Sequence, residues 1–443
     1  AVGATVRKEV EKKPALLFDH IKGYPPGYRV LVGPLNSARR MALTTNLPLD
    51  TTAVGLVQEW RKKDKAMAPI PPMKVDRGPV LENVHMGDEV NLYEFPAPFW
   101  HELDGGRYLG TNHAVITRDP DEGWVNLGTY RTVVHDEKTL GFYMSPGRHA
   151  DFNRQKYWDR GEPCPIAISL GHDPLLFFVA CQRVAYGLSE YDYAGGLKGQ
   201  PIEVIEGKLT GLPIPAQAEI VLEGECVPGE NRLEGPFGEW TGYYGKPEGP
   251  APVIRVKAVY HRNDPILCGG PASTSASFFS IARSAMVWDQ VEAAGVPDVK
   301  GVWCEPNLAH GHPWLVISIK QRYPGHAKQA ALIASQCDTA AYAGRFIIVV
   351  DDDIDPSNIM DVLWAMCTRS DPERSIDIIR RCWSGPLDTA LPPGKRGFNS
   401  RAIIDACRPY EWMKDFPAVV GVSAPLRDRV IGKWGEIMFG REP

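Results

Sequence analysis

Between residues 105 and 271 the sequence repeatedly sets short runs of β-branched and aromatic residues between tight turn signals. These runs predict strands at residues 111–118, 124–134, 167–170, 174–181, 218–222 and 252–261. Turn-forming pairs such as Pro228-Gly229 separate them. Many short strands in succession are typical of a sheet that closes on itself. We therefore predict a β-rich central domain and interpret it as a barrel.

After residue 280 the apolar residues change to helical spacing. Ile281, Ala285 and Trp288 fall on one helix face, and Gly295 stands where that helix would end. The remaining chain alternates predicted strands at 314–320 and 346–350 with predicted helices at 326–337 and from Pro356. The buried stripe of the last helix is predicted at Ile359, Val362, Leu363 and Met366. Alternating strands and helices favour parallel βαβ units, so we predict an α/β domain here.

The first 103 residues mix short apolar runs with proline clusters, which predicts a small α/β domain with a solvated helix face at 58–65. The fold class is therefore α/β (α+β) and multidomain. We predict an N-terminal domain at 1–103, a central domain at 104–279, and a linker helix with a C-terminal domain at 280–443. Three domains suit a length of 443 residues.

Charge and cysteine content exclude several classes of function. With 49 Lys and Arg against 54 Asp and Glu, the chain lacks the basic surface of a sequence-independent nucleic-acid binder. Nine cysteines without a CxxC pair are typical of reduced thiols, which predicts a cytoplasmic protein. Its apolar runs are much shorter than the ~18 residues of a membrane span.

Two motifs have a structural alternative to a metal role. His310-Gly311-His312 would share a face if it lay in a strand, but no acidic or cysteine partner stands near it at a usual ligand spacing. The acidic run at 351–355 lacks the glycine and distant glutamate of a Ca²⁺ loop, and a place before a helix N-terminus explains it better. We also find no GxGxxG, Walker or GxSxG pattern.

The segment Glu234-Gly-Pro-Phe-Gly-Glu239 places two carboxylates on either side of a sharply turning backbone. A carboxylate packed against Phe237 and Trp240 would be desolvated, which raises its pKa and suits a proton donor. Asn126 and Arg131 stand in a strand-like run at odd spacing, so they could serve one site only if the strand bulged or ended between them, as Gly128 permits.

Four blocks carry a family resemblance: WVNLGTYR (124–131), SPGRHADF (145–152), GLSEYDYAGG (187–196) and LEGPFGEWTGYY (233–244). With VVDDDID (349–355) and WAMCTR (364–369), they resemble the UbiD-type family of reversible decarboxylases, which includes the fungal ferulic acid decarboxylases. The resemblance implies a UbiD-like fold with a central FMN-binding split β-barrel and a C-terminal α/β oligomerisation domain.

The resemblance also implies prenylated FMN, a divalent cation (Mn²⁺ or Mg²⁺) and K⁺. Asn126, His149 and Glu190 are the implied divalent-metal ligands. The K⁺ environment is implied at Trp124, Ala180, Cys181, Arg183 and Glu190, largely through backbone carbonyls. Arg131, Arg148 and Arg401 are further implied cofactor-binding residues, with Arg401 at a phosphate-supporting position where several members carry lysine. The region 269–279 corresponds to a variable substrate pocket.

The implied catalytic set is Arg131, Glu234 and Glu239, with Glu239 as proton donor after decarboxylation through a covalent adduct with the cofactor. The implied substrate is an aromatic, heteroaromatic or α,β-unsaturated carboxylic acid, released as CO₂ and product. A flavin prenyltransferase would supply the cofactor, and the chain is expected to form a homodimer or homohexamer. The alternatives are an FMN-dependent oxidoreductase on a split-barrel domain and a non-enzymatic assembly subunit.

Overall fold

The computed structural model describes residues 14–145, 147–270, 277–308, 310 and 312–440. Its strands, in chain order, are β1 (Leu16–Phe18), β2 (Arg29–Val32), β3 (Met73–Lys74), β4 (Asn83–Met86), β5 (Arg107–Gly110), β6 (His113–Arg118), β7 (Val125–Gly128), β8 (Thr132–Val134), β9 (Thr139–Phe142), β10 (Cys164–Leu170), β11 (Glu203–Glu206), β12 (Pro213–Pro215), β13 (Ile220–Cys226), β14 (Asn231–Glu234), β15 (Gly249–His261), β16 (Ile266–Gly269), β17 (Val299–Cys304), β18 (Trp314–Ile319), β19 (Phe346–Asp351), β20 (Ile376–Trp383) and β21 (Phe398–Ala406).

The helices of the same residues are α1 (Ala38–Thr44), α2 (Ala53–Ala66), α3 (His149–Asp159), α4 (Pro174–Ala180), α5 (Glu190–Lys198), α6 (Ser277–Ala293), α7 (His326–Gln336), α8 (Asp338–Ala341), α9 (Ile359–Arg369), α10 (Pro372–Ser375) and α11 (Ala424–Phe439).

An antiparallel sheet forms the centre of the molecule. Its strand order is β5-β8-β9-β15-β13-β10-β6-β7, and β14 and β4 pair with β15 off this path. Apolar side chains such as Val115, Ile168 and Leu222 are buried within it. The run 124–134 divides into two strands, because β7 ends at Gly128 and β8 begins at Thr132. The strand therefore ends between Asn126 and Arg131, as their spacing required.

The predicted strand at 174–181 is wrong, because these residues form helix α4. Asp173 caps the helix by accepting the N–H of Leu175 at 2.9 Å, and Pro174 occupies the first turn. Every residue from Leu175 to Ala180 is buried. An apolar run that is buried on all sides has no period that separates a helix from a strand.

The N-terminal part joins the central region through three sheets, in one of which β3 pairs in parallel with β11. Strand β16 pairs in parallel with β2, next to β1, and β4 pairs with β15. Helix α2 packs against α6, where Arg61 bridges to Asp289 at 2.6 Å. The domain limits at residues 103 and 279 stay predictions.

The C-terminal part contains a five-stranded sheet in the order β17-β18-β19-β21-β20. Its central pairs, β18 with β19 and β19 with β21, are parallel, while both edge strands pair antiparallel. Helix α9 begins at Ile359 under an Asn358 cap, three residues after the predicted start. Val362 is buried and Met366 is partly buried against the sheet, whereas Leu363 is exposed, so the predicted stripe is wrong at that residue.

Ion pairs, more than a helix N-terminus, account for the acidic run at 351–355. Asp351 accepts from Arg369 at 3.0 Å and from Arg408 at 3.1 Å. Arg369 also holds Asp353 at 2.8 Å, and its side chain is 1% exposed. The run thus ties β19 to α9 and to the end of β21.

Helix α11 presents an exposed apolar stripe. Leu426, Val430, Trp434 and Ile437 recur at helical spacing, and all four side chains are substantially exposed, Ile437 by 78%. We call these four residues the α11 stripe. None of the described helices is long and apolar enough to span a bilayer.

Candidate active site

A tight loop at residues 234–239, here the carboxylate loop, brings Glu234 and Glu239 to one arginine. Glu234 ends β14, and Gly235 turns the chain with a φ of +93°, which glycine adopts without strain. The buried carboxylate of Asp104 accepts a backbone N–H of the loop at 2.9 Å. Asp104, which precedes the central strands in sequence, therefore helps to hold the carboxylate loop in place.

Arg131 lies in the short connection between β7 and β8 and binds both glutamates. Its Nε and Nη2 donate to the two carboxylate oxygens of Glu234 at 2.7 and 3.0 Å, and Nη1 donates to Glu239 Oε1. The guanidinium lies over the Tyr143 ring, 4.5 Å from its centroid. The Arg131 side chain is only 10% exposed, so these bonds form largely out of water.

Glu234 has two further partners that sequence reasoning missed. The Tyr108 hydroxyl donates to Glu234 Oε1 at 2.9 Å, and Lys246 Nζ lies 3.6 Å from Oε2. Burial alone would raise the pKa of Glu234, but the hydrogen bonds and charge of Arg131 outweigh it, and the pKa lies below its ordinary value. Glu234 is therefore the ionised member of the pair.

Glu239 has the opposite character. Burial raises its pKa, and the charge and hydrogen bond of Arg131 only partly oppose this effect. Its side chain is 8% exposed. Two neighbouring carboxylates whose environments move their pKa values apart can divide the acid and base roles, and Glu239 is the member that keeps a proton to higher pH.

The three predicted divalent-metal ligands lie around strand β7. Asn126 is within the strand, while Glu190 and His149 are the first residues of α5 and α3. Glu190 Oε2 accepts the backbone N–H of Leu127 at 2.7 Å. The His149 ring packs edge-on against Trp124, with 5.5 Å between centroids. We call Asn126, His149 and Glu190 the β7 cluster.

Two features of the β7 cluster fit a bound cation. Burial raises the pKa of Glu190 to about 8, and no positive side chain among the described residues compensates it. The amide nitrogen of Asn126 is buried and has no hydrogen-bond partner in the same part of the chain. Exchanging the two amide atoms would turn the oxygen toward an ion. Oxygen ligands with one imidazole suit Mn²⁺ or Mg²⁺.

Three of the predicted K⁺ residues, Ala180, Cys181 and Arg183, lie at or just after the C-terminal end of α4. Ala180 ends this helix and Cys181 caps it, and carbonyl groups of a last helical turn attract cations. Cys181 Sγ lies 3.4 Å from Thr129 Oγ1, which places the helix end against the segment that follows β7. Arg183 is exposed two residues farther along.

The remaining predicted cofactor residues, Arg148 and Arg401, have different positions. Arg148 precedes α3, and its charge acts on both His149 and Tyr342. Arg401 is 1% exposed and donates to the carbonyls of Ala341 and Trp383, each at 2.7 Å. Within the described residues no hydrogen bond joins Arg401 to the β7 cluster. Because Arg401 binds the carbonyl of Ala341, it fixes the segment that carries Tyr342.

Residues of the C-terminal part form a wall beside the carboxylate loop that the sequence did not reveal. The Trp240 and His312 rings lie 4.4 Å apart, and Tyr342 lies 5.2 Å beyond His312. Nη2 of Arg283, in α6, lies 2.9 Å from His312 Nε2. Burial lowers the pKa of Arg283 to about 10. A cation so close disfavours a metal role for His312, which also precedes strand β18 and is not part of it.

The central and C-terminal parts match two sequence families. Residues 73–272 match the 3-octaprenyl-4-hydroxybenzoate carboxy-lyase Rift-related domain (UbiD), and residues 276–406 match the C-terminal domain of the same carboxy-lyase. The pyrrole-2-carboxylic acid decarboxylase of Pseudomonas aeruginosa is 34% identical, with 99% of this chain and 93% of the relative covered. A phenolic acid decarboxylase of Bacillus subtilis is 32% identical, with 90% and 84% covered.

A solved structure shows the same architecture. The UbiD-class enzyme HmfF of Pelotomaculum thermopropionicum, in complex with FMN, aligns with a TM-score of 0.86 at 29% identity over 96% of this chain and 92% of its own. This match confirms the predicted multidomain α/β (α+β) fold class. Fold and sequence together define a carboxy-lyase. The chain belongs to the UbiD family, as the four sequence blocks indicated.

Proposed function

We propose that this protein decarboxylates an aromatic, heteroaromatic or α,β-unsaturated carboxylic acid with prenylated FMN, and that Glu239 is the proton donor. The observation that carries the proposal is the buried arrangement in which Arg131 holds Glu234 and Glu239 together. It offers a fixed cation, an ionised carboxylate and a carboxylic acid in one small volume. The names of the Pseudomonas and Bacillus relatives support the substrate class.

The β7 cluster supports a phosphate-bearing cofactor. An evolved form of HmfF binds prenylated FMN, which supports the same cofactor here. Asn126, His149 and Glu190 would hold Mn²⁺ or Mg²⁺, the end of α4 would hold K⁺, and Arg148 would face the phosphate. Asn126 and Arg131 are five residues apart, at most roughly 17 Å along an extended chain. One cofactor could thus reach from the cation cluster to the carboxylate loop.

When bound, the modified flavin supplies an electron sink for the pair of electrons left on carbon as CO₂ departs. Side chains of the protein bind the substrate and supply the proton. Arg131 and Arg283 would attract the substrate carboxylate, and the wall of Trp240, His312 and Tyr342 would pack against its flat ring. Glu239 gives its proton to the carbon that has lost CO₂. Its own carboxylate then faces Arg131 Nη1, which is already in place to bear the charge.

We also propose that the chain works as a homodimer or homohexamer and that a separate flavin prenyltransferase supplies its cofactor. The α11 stripe supports the assembly, because a second copy would cover this apolar surface. The region 269–279 stays a predicted substrate pocket, and its residues 271–276 lie outside the described part of the chain.

The test compares wild type with Glu239→Gln after co-expression with a flavin prenyltransferase. The amide keeps the shape of the side chain but has no acidic proton. We expect it to retain prenylated FMN, by mass and absorption spectrum, and to lose CO₂ release by about 10²–10⁴-fold. Glu248→Gln is the matched control, because Glu248 is exposed close to the same loop.

Two results would contradict the proposal. Wild-type CO₂ release in the Glu239→Gln variant would remove its role as proton donor. Plain FMN bound despite co-expression, and reduced by NAD(P)H, would favour the oxidoreductase alternative.

A further inference from the structure

We propose a second metal site, specific for Zn²⁺ or a similar divalent transition ion, at His85, Glu94 and His261. One ligand atom of each residue lies within 4.8 Å of the others. The three side chains come from separate elements: strand β4, the short 3₁₀ turn Leu92–Glu94 and the last residue of β15. This proposal does not depend on the decarboxylase function.

The spacing of the ligand atoms suits a four-coordinate ion. Four ligands about 2.1 Å from a tetrahedral ion lie about 3.4 Å from one another. Here His85 Nδ1 is 3.2 Å from Glu94 Oε2, and His261 Nε2 is 3.4 Å from Glu94 Oε1. Both distances are close to that edge, and they run to different oxygens of the Glu94 carboxylate. If Glu94 binds through one oxygen, three protein ligands leave one position open.

His261 supplies the independent evidence that a ligand is expected. The residue is 5% exposed, and its buried Nε2 makes no well-formed hydrogen bond among the described residues, its nearest partner being Glu94 Oε1 at 3.4 Å. Its Nδ1 lies 2.8 Å from the carbonyl oxygen of Arg262, which can only accept. Nδ1 therefore carries a proton, and Nε2, which faces the Glu94 carboxylate, is the ring atom that would bind an ion in place of a second proton. This arrangement is how proteins orient a metal-binding imidazole.

The carboxylate of Glu94 is also positioned from outside the cluster. The Tyr28 hydroxyl donates to Glu94 Oε1 at 2.5 Å. The His85 and His261 rings meet edge-on at 5.3 Å, and Phe95 packs on His261 at 5.5 Å. Each ligand is thus held by a neighbour before any ion arrives, which lowers the cost of ordering the site.

Two imidazoles and one carboxylate favour Zn²⁺, Co²⁺ or Ni²⁺, whereas the β7 cluster has only one imidazole. The proposed site is also remote from the carboxylate loop. Glu234 pairs with Gly249 at the start of β15, and His261 is twelve residues farther along the same strand, at most roughly 40 Å away. A bound ion would join β4 and the turn that carries Glu94 to the end of β15.

The test is equilibrium dialysis of chelator-stripped protein against Zn²⁺, followed by elemental analysis. His85→Gln removes one ligand at a half-buried position on a short strand, so it tests the site even if His261→Gln fails to fold. We expect His85→Gln to bind one equivalent less Zn²⁺ than wild type and to lose the Zn²⁺-dependent rise in thermal midpoint. His149→Gln alters only the β7 cluster, so it should keep the equivalent of Zn²⁺ that His85→Gln loses.

His20→Gln is the matched surface control, since the side chain of His20 is 96% exposed. Equal Zn²⁺ stoichiometry in wild type and His85→Gln would overturn the proposal. Zn²⁺ that is lost only in His149→Gln would do the same, and would leave His85, Glu94 and His261 as an ion-paired cluster.

Discussion

Replacing Tyr108 by phenylalanine removes one hydroxyl from the Arg131–Glu234 pair and little else. Tyr108 is fully buried, and its hydroxyl donates to Glu234 Oε1 at 2.9 Å. A hydrogen bond to a charged group contributes about 1.5–3 kcal/mol. For a chain of this length the entropy of unfolding is about 0.9 kcal/mol per degree, so the midpoint should fall by about 2–3 °C at neutral pH if the chain unfolds as one unit.

The same change should alter the response to acid. The pKa of Glu234 is lowered in the folded protein, so its ionised form stabilises the fold above the ordinary value of 4.5, and this contribution is lost as the pH falls through the lowered pKa. If the Tyr108 bond acts only on the ionised form, its loss raises the pKa of Glu234. Acid destabilisation should therefore begin at a higher pH in the variant.

Scanning calorimetry from neutral pH into the acid range measures both effects. Tyr191→Phe is the matched control, because the Tyr191 hydroxyl is equally buried but donates to the carbonyl of Pro213 at 2.8 Å. Tyr191→Phe should lower the thermal midpoint without shifting the pH at which acid destabilisation begins. The reasoning would be refuted if Tyr108→Phe had the same thermal midpoint as wild type at neutral pH. It would also be refuted if acid destabilised the variant and wild type from the same pH.

Three further predictions concern other parts of the molecule. Because the pKa of Glu190 is about 8 without metal, Mn²⁺ binding at neutral pH should release about one proton, which calorimetry in buffers of different ionisation enthalpy detects; no buffer dependence would contradict this. Arg369→Ala leaves the buried Asp351 with fewer partners and should cost about 3–5 kcal/mol in a denaturant titration, whereas an unchanged midpoint would show that Arg408 suffices. Trp434→Glu places a charge in the α11 stripe and should reduce the mass measured by light scattering; an intact assembly would exclude the stripe as its interface.

The carboxylate loop could be predicted from sequence because its chemistry is local. Glu234 and Glu239 are five positions apart, with glycine and proline between them. Arg131 is 103 positions from Glu234, and only the family resemblance linked them. Tyr108 and Lys246 carry no sequence signal of their own, since a tyrosine in a strand and a lysine in a loop have many other uses.

Other misses have separate physical causes. The sequence of α4 predicts a strand because burial on every side removes the period that distinguishes a helix from a strand. His85 and His261 lie in strands that pair across the sheet, so their proximity depends on register and not on spacing. The wall beside the carboxylate loop requires the C-terminal part to pack against the central part, which no local pattern encodes.

The α11 stripe has a consequence for how stability should be understood in this protein. If a second copy covers Leu426, Val430, Trp434 and Ile437, the folded chain and its assembly are linked by mass action. The thermal midpoint should then rise with protein concentration, and dilution alone should weaken the fold. Stability would be a property of the pair of chains, and the amount of protein in the cell would help to set it.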